Sequence, residues 1–265
     1  MARDRTRCGV IYVHPVDHPA STASVPIDFT DALRREGAAL LDAARAAGIG
    51  APVASCGEWS IGDLVWHVTE VYSLFGQVVA GRLASIDDVV RGQRPPDSEL
   101  VGSCRAALDA LVESLEAADD STPVWTFTSD RTVGFVRRRM AVETAVHRWD
   151  AEVAAGARPG IDGELASAGI DEFVHHFVHR RDRNAAAVGG SVHVHCGDVP
   201  GEWTLRPDAA TGAWITSREH AKGDCALRGP ASDLLLALWR RLPLSAVDVV
   251  GDADVASRFV ASTRL

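Results

Sequence analysis

Lysine is almost absent from these 265 residues: Lys222 stands alone, and arginine supplies every other basic side chain. Positive charge is in deficit overall, with 27 Lys and Arg against 36 Asp and Glu and a net charge of -9. A surface that follows a phosphate backbone needs an excess of cations, so no nucleic-acid partner is expected. No apolar run is long enough to cross a bilayer, and no membrane association is expected. The leading MARDRTRCGVIYVHPVDHP carries basic residues without an apolar core or a small-residue cleavage site, so secretion is not expected. Cys8, Cys56, Cys104, Cys196 and Cys225 are odd in number, scattered, and never in CxxC. That argues against a disulfide framework, rules out a cysteine zinc knuckle, and suits a reducing cytoplasm. Also missing are GxSxG, a P-loop, and GxGxxG after a strand, which leaves nucleotide chemistry little support.

What remains is globular: 46% hydrophobic and 24% charged residues in a 28.2 kDa chain, enough for one or two domains. Residues 1–26 mix His, Pro and Ser and read as a loosely held arm. Helical periodicity then dominates residues 27–184. DALRREGAALLDAARAAG has a broad apolar face closed by Gly48 and Gly50. IGDLVWHVTEVYSLFGQVV starts at a Ser60 cap with Asp63 three residues on. A third helix follows an Asp97 or Ser98 cap. GFVRRRMAVETAVHRWDAEVAAG makes the fourth, ended by Gly156, and GELASAGIDEFVHHFVHRRDR the fifth. Connections of this length suit a bundle. Over 185–265 the texture becomes mixed: SVHVHCGD alternates as a half-buried strand, GEWTLRPDAATGAWITS reads as two strands about a turn, and CALRGPASDLLLALWRRLP runs from an extended piece into a helix. ADVASRFVAST is a final helix. The fold class is therefore α+β, a helical bundle followed by a small α/β domain.

Glu143 and His147 are four apart and share one helix face, while His67 lies on the apolar stripe of the second helix. Facing helices of a bundle build metal sites in this way. Two imidazoles and a carboxylate would leave a fourth position open, as in catalytic zinc sites. The same spacing also arises as a solvated i,i+4 pair, and a single core histidine is commonly just hydrogen-bonded. His175 and His179, with Glu172 one turn earlier, form a competing set, and spacing does not rank the two. His193 and His195 share a strand face, but HxH supplies two ligands at most and reads as structural. Arg137, Arg138 and Arg139 suggest a salt bridge inside the bundle. Arg240 and Arg241 end an apolar helix, where they either complement its dipole or clamp an anion.

EWSIGDLVWH resembles the W-[ST]-x-x-D-L-x-x-H opening of DinB-type bundles. FVRRRMAVETAVHRWDAE is similar to the F-W-x-R-R-x-x-x-E-x-x-x-H-R-x-D-A helix of the mycothiol-dependent maleylpyruvate isomerase family of actinobacteria. GEWTLRPD, LRGPASDLLLALWRRLP and VVGD resemble that family's C-terminal domain, in the right order. The resemblance covers residues 28–263. It implies a DinB-like four-helix bundle with a sterol-carrier-like α/β domain, and a divalent metal, normally zinc, on His67, Glu143 and His147. It demotes His175 and His179 to structure and makes Arg241 the candidate clamp for a substrate carboxylate. Trp59 and Asp63 match the cap region, and Arg148 and Asp150 match groups that support the metal helix. The chain departs from the pattern at Val136 (often Trp), Val142 (often His) and Arg240 (usually Gly).

The implied cofactors are the metal and mycothiol, with a small-molecule substrate and a monomer or weak dimer in the cytoplasm. A metal-bound thiolate would attack a small electrophilic acid, giving cis–trans isomerisation of a maleylpyruvate-like compound or S-transfer. The alternatives are a non-catalytic metal- or ligand-binding module and a zinc hydrolase activating water at the same position.

Overall fold

The computed structural model describes residues 27–179, 188–208, 210–211 and 213–263. The expected arm over 1–26 and the expected boundary at 184–185 lie outside them. Four helices form the bundle: α1 (Phe29–Ala47), α2 (Ile61–Ala80), α3 (Leu100–Glu116) and α4 (Val133–Ala154). Their starts are set by side-chain caps that satisfy free amides. Asp28 accepts from the Thr30 and Asp31 amides, Ser60 and Asp63 make a reciprocal capping box, and Thr132 accepts from Phe135. The third helix begins at Leu100, one residue later than a Ser98 cap and two later than an Asp97 cap would start it. Glu99 precedes it without a side-chain cap, because Asp97 accepts from Arg94 instead.

α4 packs against α1 and α2 and also against α5 (Gly163–Glu172). It is therefore buried nearly all round, including the polar residues Arg139, Glu143, His147, Arg148 and Asp150. Buried polar groups need partners, and α4 is where the molecule concentrates them. α5 continues into a π-helical turn, Phe173–Phe177. It approaches closely on both sides: a Cβ on Gly169 would lie 2.9 Å from Val142 Cγ1 and 3.0 Å from Leu235 Cδ1.

The C-terminal sheet is mixed, in the order β3-β2-β1-β4-β5. Its strands are β1 (Val192–Cys196), β2 (Glu202–Pro207), β3 (Trp214–Ser217), β4 (Cys225–Gly229) and β5 (Asp248–Gly251). β1 and β4 run parallel at the centre, and the other pairings are antiparallel. The alternation in sequence has no signal strong enough for β5, a four-residue edge strand with two exposed valine and aspartate positions. Val192, Val194, Trp203, Leu205, Cys225 and Leu227 point to one face, which buries with α5, α6 (Ala231–Leu238) and α7 (Ala253–Ser262). The opposite face carries His193, His195, Glu202, Arg206 and Arg228. The buried apolar residues of bundle and sheet form one continuous core.

Past α6 the chain turns at Arg240, whose φ is 59°. This left-handed conformation explains why glycine suits the position. Here the arginine side chain compensates: Nε and Nη2 donate to the Val260 carbonyl at 3.2 and 3.0 Å, and Nη2 also reaches the Thr263 carbonyl. Cys56, Cys104, Cys196 and Cys225 are free thiols, as the scattered spacing implied.

Candidate metal centre

α2 and α4 bring His67, Glu143 and His147 together. Glu143 Oε1 lies 3.5 Å from His67 Nε2 and 3.3 Å from His147 Nε2. The three donor atoms all fall within 4.8 Å of one another. Four ligands about 2.0–2.1 Å from a tetrahedral zinc ion stand about 3.4 Å apart, so the donor set fits such an ion with little adjustment. The two imidazole rings meet edge to face at 5.1 Å, and the Trp59 ring lies 5.1 Å from that of His67. His67 is the open side of the set: its side chain is 35% exposed, against 11% for Glu143 and 8% for His147.

Each inner donor is held from behind. Arg139 donates to Glu143 Oε2, which leaves Oε1 to face the histidines, and its other nitrogen donates to Glu172 at 2.8 Å. Burial alone would raise the Glu143 pKa. The Arg139 guanidinium, with hydrogen bonds from His147 and His67, outweighs it and holds the carboxyl well below the usual range. His147 Nδ1 shares a 3.0 Å hydrogen bond with Asp150 Oδ2, so Nε2 is the nitrogen aimed at the site. Burial would lower the His147 pKa, but Asp150 and Glu143 push it up to about 9 in the metal-free chain.

Asp150 is itself gripped from three directions. Ser55 donates to Oδ1 at 2.5 Å, and Arg241 donates from Nε to Oδ1 at 3.1 Å and from Nη2 to Oδ2 at 2.9 Å. Arg241 Nη1 donates to the Trp239 carbonyl at 3.0 Å. The bidentate fork expected to meet a substrate carboxylate thus grips Asp150 in this state. Cys56 sits at the same junction, with Sγ 3.7 Å from both Asp150 Oδ2 and Arg241 Nη2. Burial first, and the Asp150 charge next, push its thiol pKa up, so it is a neutral thiol. Its placement was not readable from spacing, because 94 residues separate it from Asp150.

The other sequence candidates take structural places. Glu172 turns inward to Arg139, away from His175, which is 40% exposed and bonds the Asp171 carbonyl at 2.8 Å. His176 packs edge-on against Phe135. Arg137 binds Asp120 and the Leu115 and Ala118 carbonyls. Arg148 bonds Glu36, Glu152 and the Gly160 carbonyl, tying α4 to α1. Asp63 caps α2. His193 and His195, however, are joined by two residues that spacing did not connect to them, Glu202 and His220.

Two family models match the chain: the mycothiol maleylpyruvate isomerase N-terminal domain over residues 30–152, and the corresponding C-terminal domain over 164–258. The chain belongs to the mycothiol maleylpyruvate isomerase family. No curated protein and no solved structure matches it. The N-terminal match contains His67, Glu143, His147 and Asp150, and the C-terminal match contains Arg241. Among the described residues, no helix is long and apolar enough to cross a membrane.

Proposed function

We propose that this family member is a metal- and mycothiol-dependent enzyme acting on a small electrophilic acid, by cis–trans isomerisation of a maleylpyruvate-like compound or by S-transfer. The observation that supports this best is the convergence of His67 Nε2, His147 Nε2 and Glu143 Oε1 at separations suited to a divalent ion. Zinc is the expected ion; bound by these three atoms, it supplies the charge that makes a coordinated thiol ionise at neutral pH.

The chain's own residues prepare that site. Glu143 serves as ligand and not as base, because one oxygen faces the histidines and the other is held by Arg139. Asp150 accepts a hydrogen bond from the Nδ1–H of His147 and so leaves Nε2 as the nitrogen directed at the centre. Arg241 holds Asp150 in place and puts a permanent positive charge beside the site. In this reading it draws a substrate carboxylate by that charge, sharing its nitrogens with Asp150. A hydrolase would need a free general base. Asp150, the carboxylate next to the ligand set, is committed to Ser55, His147 and Arg241.

The test is metal content of the purified chain by elemental analysis, with thiol-dependent turnover measured alongside. About one zinc per chain at the bundle site, lost together with activity in His147→Ala and in His67→Ala, is the expected result. An active variant without metal would overturn the reading.

A further inference from the structure

The open face of the C-terminal sheet carries a second ligand set, built from parts that are distant in sequence. His193 and His195 come from β1. Glu202 comes from β2, directly across from His195 in the antiparallel register. His220 comes from the segment after β3. One oxygen, Glu202 Oε1, receives all three rings: His193 Nε2 at 2.8 Å, His195 Nδ1 at 3.1 Å, and His220 Nδ1. The rings stand edge to face around it, with centroids 5.4 to 6.2 Å apart. The four donor atoms lie within 4.8 Å of one another.

We propose that His193, His195, His220 and Glu202 form a second metal site, for a borderline divalent cation of the zinc class. Three imidazole nitrogens and one carboxylate oxygen match the ligand preference of Zn2+, with Ni2+ and Cu2+ as chemical neighbours, and disfavour Ca2+ and Mg2+, which seek oxygen cages. The ring-to-oxygen separations of 2.8 and 3.1 Å sit just inside the roughly 3.4 Å between ligands of a tetrahedral zinc ion. A cation taking the place of the shared protons would therefore need only a small outward shift of the rings. Partial burial would raise the Glu202 pKa, but the hydrogen bonds from His220, His195 and His193 hold it at about 2, so its charge is present to meet the ion.

The surroundings give the ion access and define its role. The set borders a groove of about 670 Å³, lined also by Lys222, Asp224 and Arg228. Exposure grades across the ligands: the side chain of His193 is 9% exposed, Glu202 27%, His195 34% and His220 80%. Four protein ligands close the coordination shell, which is the pattern of a structural ion and contrasts with the three-ligand set in the bundle. Its effect is to fasten the segment carrying His220 to the β1–β2 hairpin. The site is independent of the bundle centre, sharing none of its residues.

Co2+ titration of the full-length, untagged, metal-stripped chain, followed by visible absorption, tests it, because low-symmetry nitrogen–oxygen sites colour Co2+ while the aqueous ion is nearly colourless. The wild type is expected to take about two ions per chain, and the double variant His67→Ala/His147→Ala about one. Adding His220→Ala should weaken the Co2+ affinity behind that remaining band by about tenfold or more, because one of four ligands is lost; the side chain of His220 is 80% exposed, and circular dichroism verifies that the fold is kept. Should His220→Ala misfold, Glu202→Gln in the same double-variant background provides the same readout. A His67→Ala/His147→Ala chain that binds no Co2+, or binds it undiminished after His220→Ala and Glu202→Gln, overturns the second site. A wild type that binds one ion, weakened by His220→Ala and unaffected by His147→Ala, would support the sheet site while defeating the bundle reading, so the two proposals fail separately.

Discussion

Arg240 shows how one side chain can hold a backbone conformation that does not favour it. A non-glycine residue at φ 59° costs on the order of 1 kcal/mol, and the guanidinium offsets that by bonding the carbonyls that end α7. Arg240→Ala keeps the strained backbone and loses the bonds, so urea unfolding should show a loss of about 1–3 kcal/mol. Arg240→Gly loses the same bonds but relieves the strain, and should be less destabilised than the alanine variant by about 1 kcal/mol. Equal losses in the two variants would mean that the turn stores no strain. The family resemblance implies a glycine at this position; only the backbone angle shows what the arginine costs and the α7 carbonyls what offsets it.

At the scale of the element, α2 owes its start to Ser60 and Asp63, and its start sets the height of His67, two turns further along. Ser60→Ala should cost about 1 kcal/mol in denaturant unfolding. The Asp63 carboxyl is held at about 2 by the Ser60 backbone amide, then its hydroxyl and Arg94, against 3.8 in its absence. Its folded pKa lies below the unfolded one, so its contribution is complete above about pH 4 and disappears as pH falls toward 2. The melting-temperature gap between the wild type and Asp63→Ala should shrink over that interval; a gap that persists at the lower end would disprove the assignment. Elements of this kind were legible beforehand, because caps, helical stripes and the four-residue step from Glu143 to His147 are local in sequence. Contacts set by tertiary approach were not. Cys56 reaches Asp150 only because α4 packs against the turn at Ala54–Cys56, and Glu202 meets His195 only through strand register. The ranking of His175 and His179 below His67 and His147 rests on resemblance; in the structure Glu172 turns inward to Arg139, a contact that spacing did not show.

Across the whole molecule, the decisive link is the one from Arg241, just past α6, to Asp150 on α4. It carries the C-terminal part of the chain to within two side chains of the bundle centre. Asp150→Asn should weaken metal binding by about 10–100-fold, and Arg241→Leu should weaken it in the same direction without touching a ligand. Because both act through one hydrogen-bonded chain, the double variant should lose less than the two single losses combined. Full additivity, measured by competition with a chromophoric chelator, would show that Arg241 does not work through Asp150.

That link also sets an order of events during synthesis. Asp150 and Arg241 are 91 residues apart, so at about 5–20 residues per second a nascent chain holds the three proposed bundle ligands and Asp150 for roughly 5–18 seconds before the arginine that steadies them exists. Through that interval His147 has its carboxylate partner but not the clamp on that partner. On the proposed reading, firm capture of an ion is thereby reserved for chains that have been made through α6 and docked, and a chain broken off earlier would release its metal more readily than a finished one.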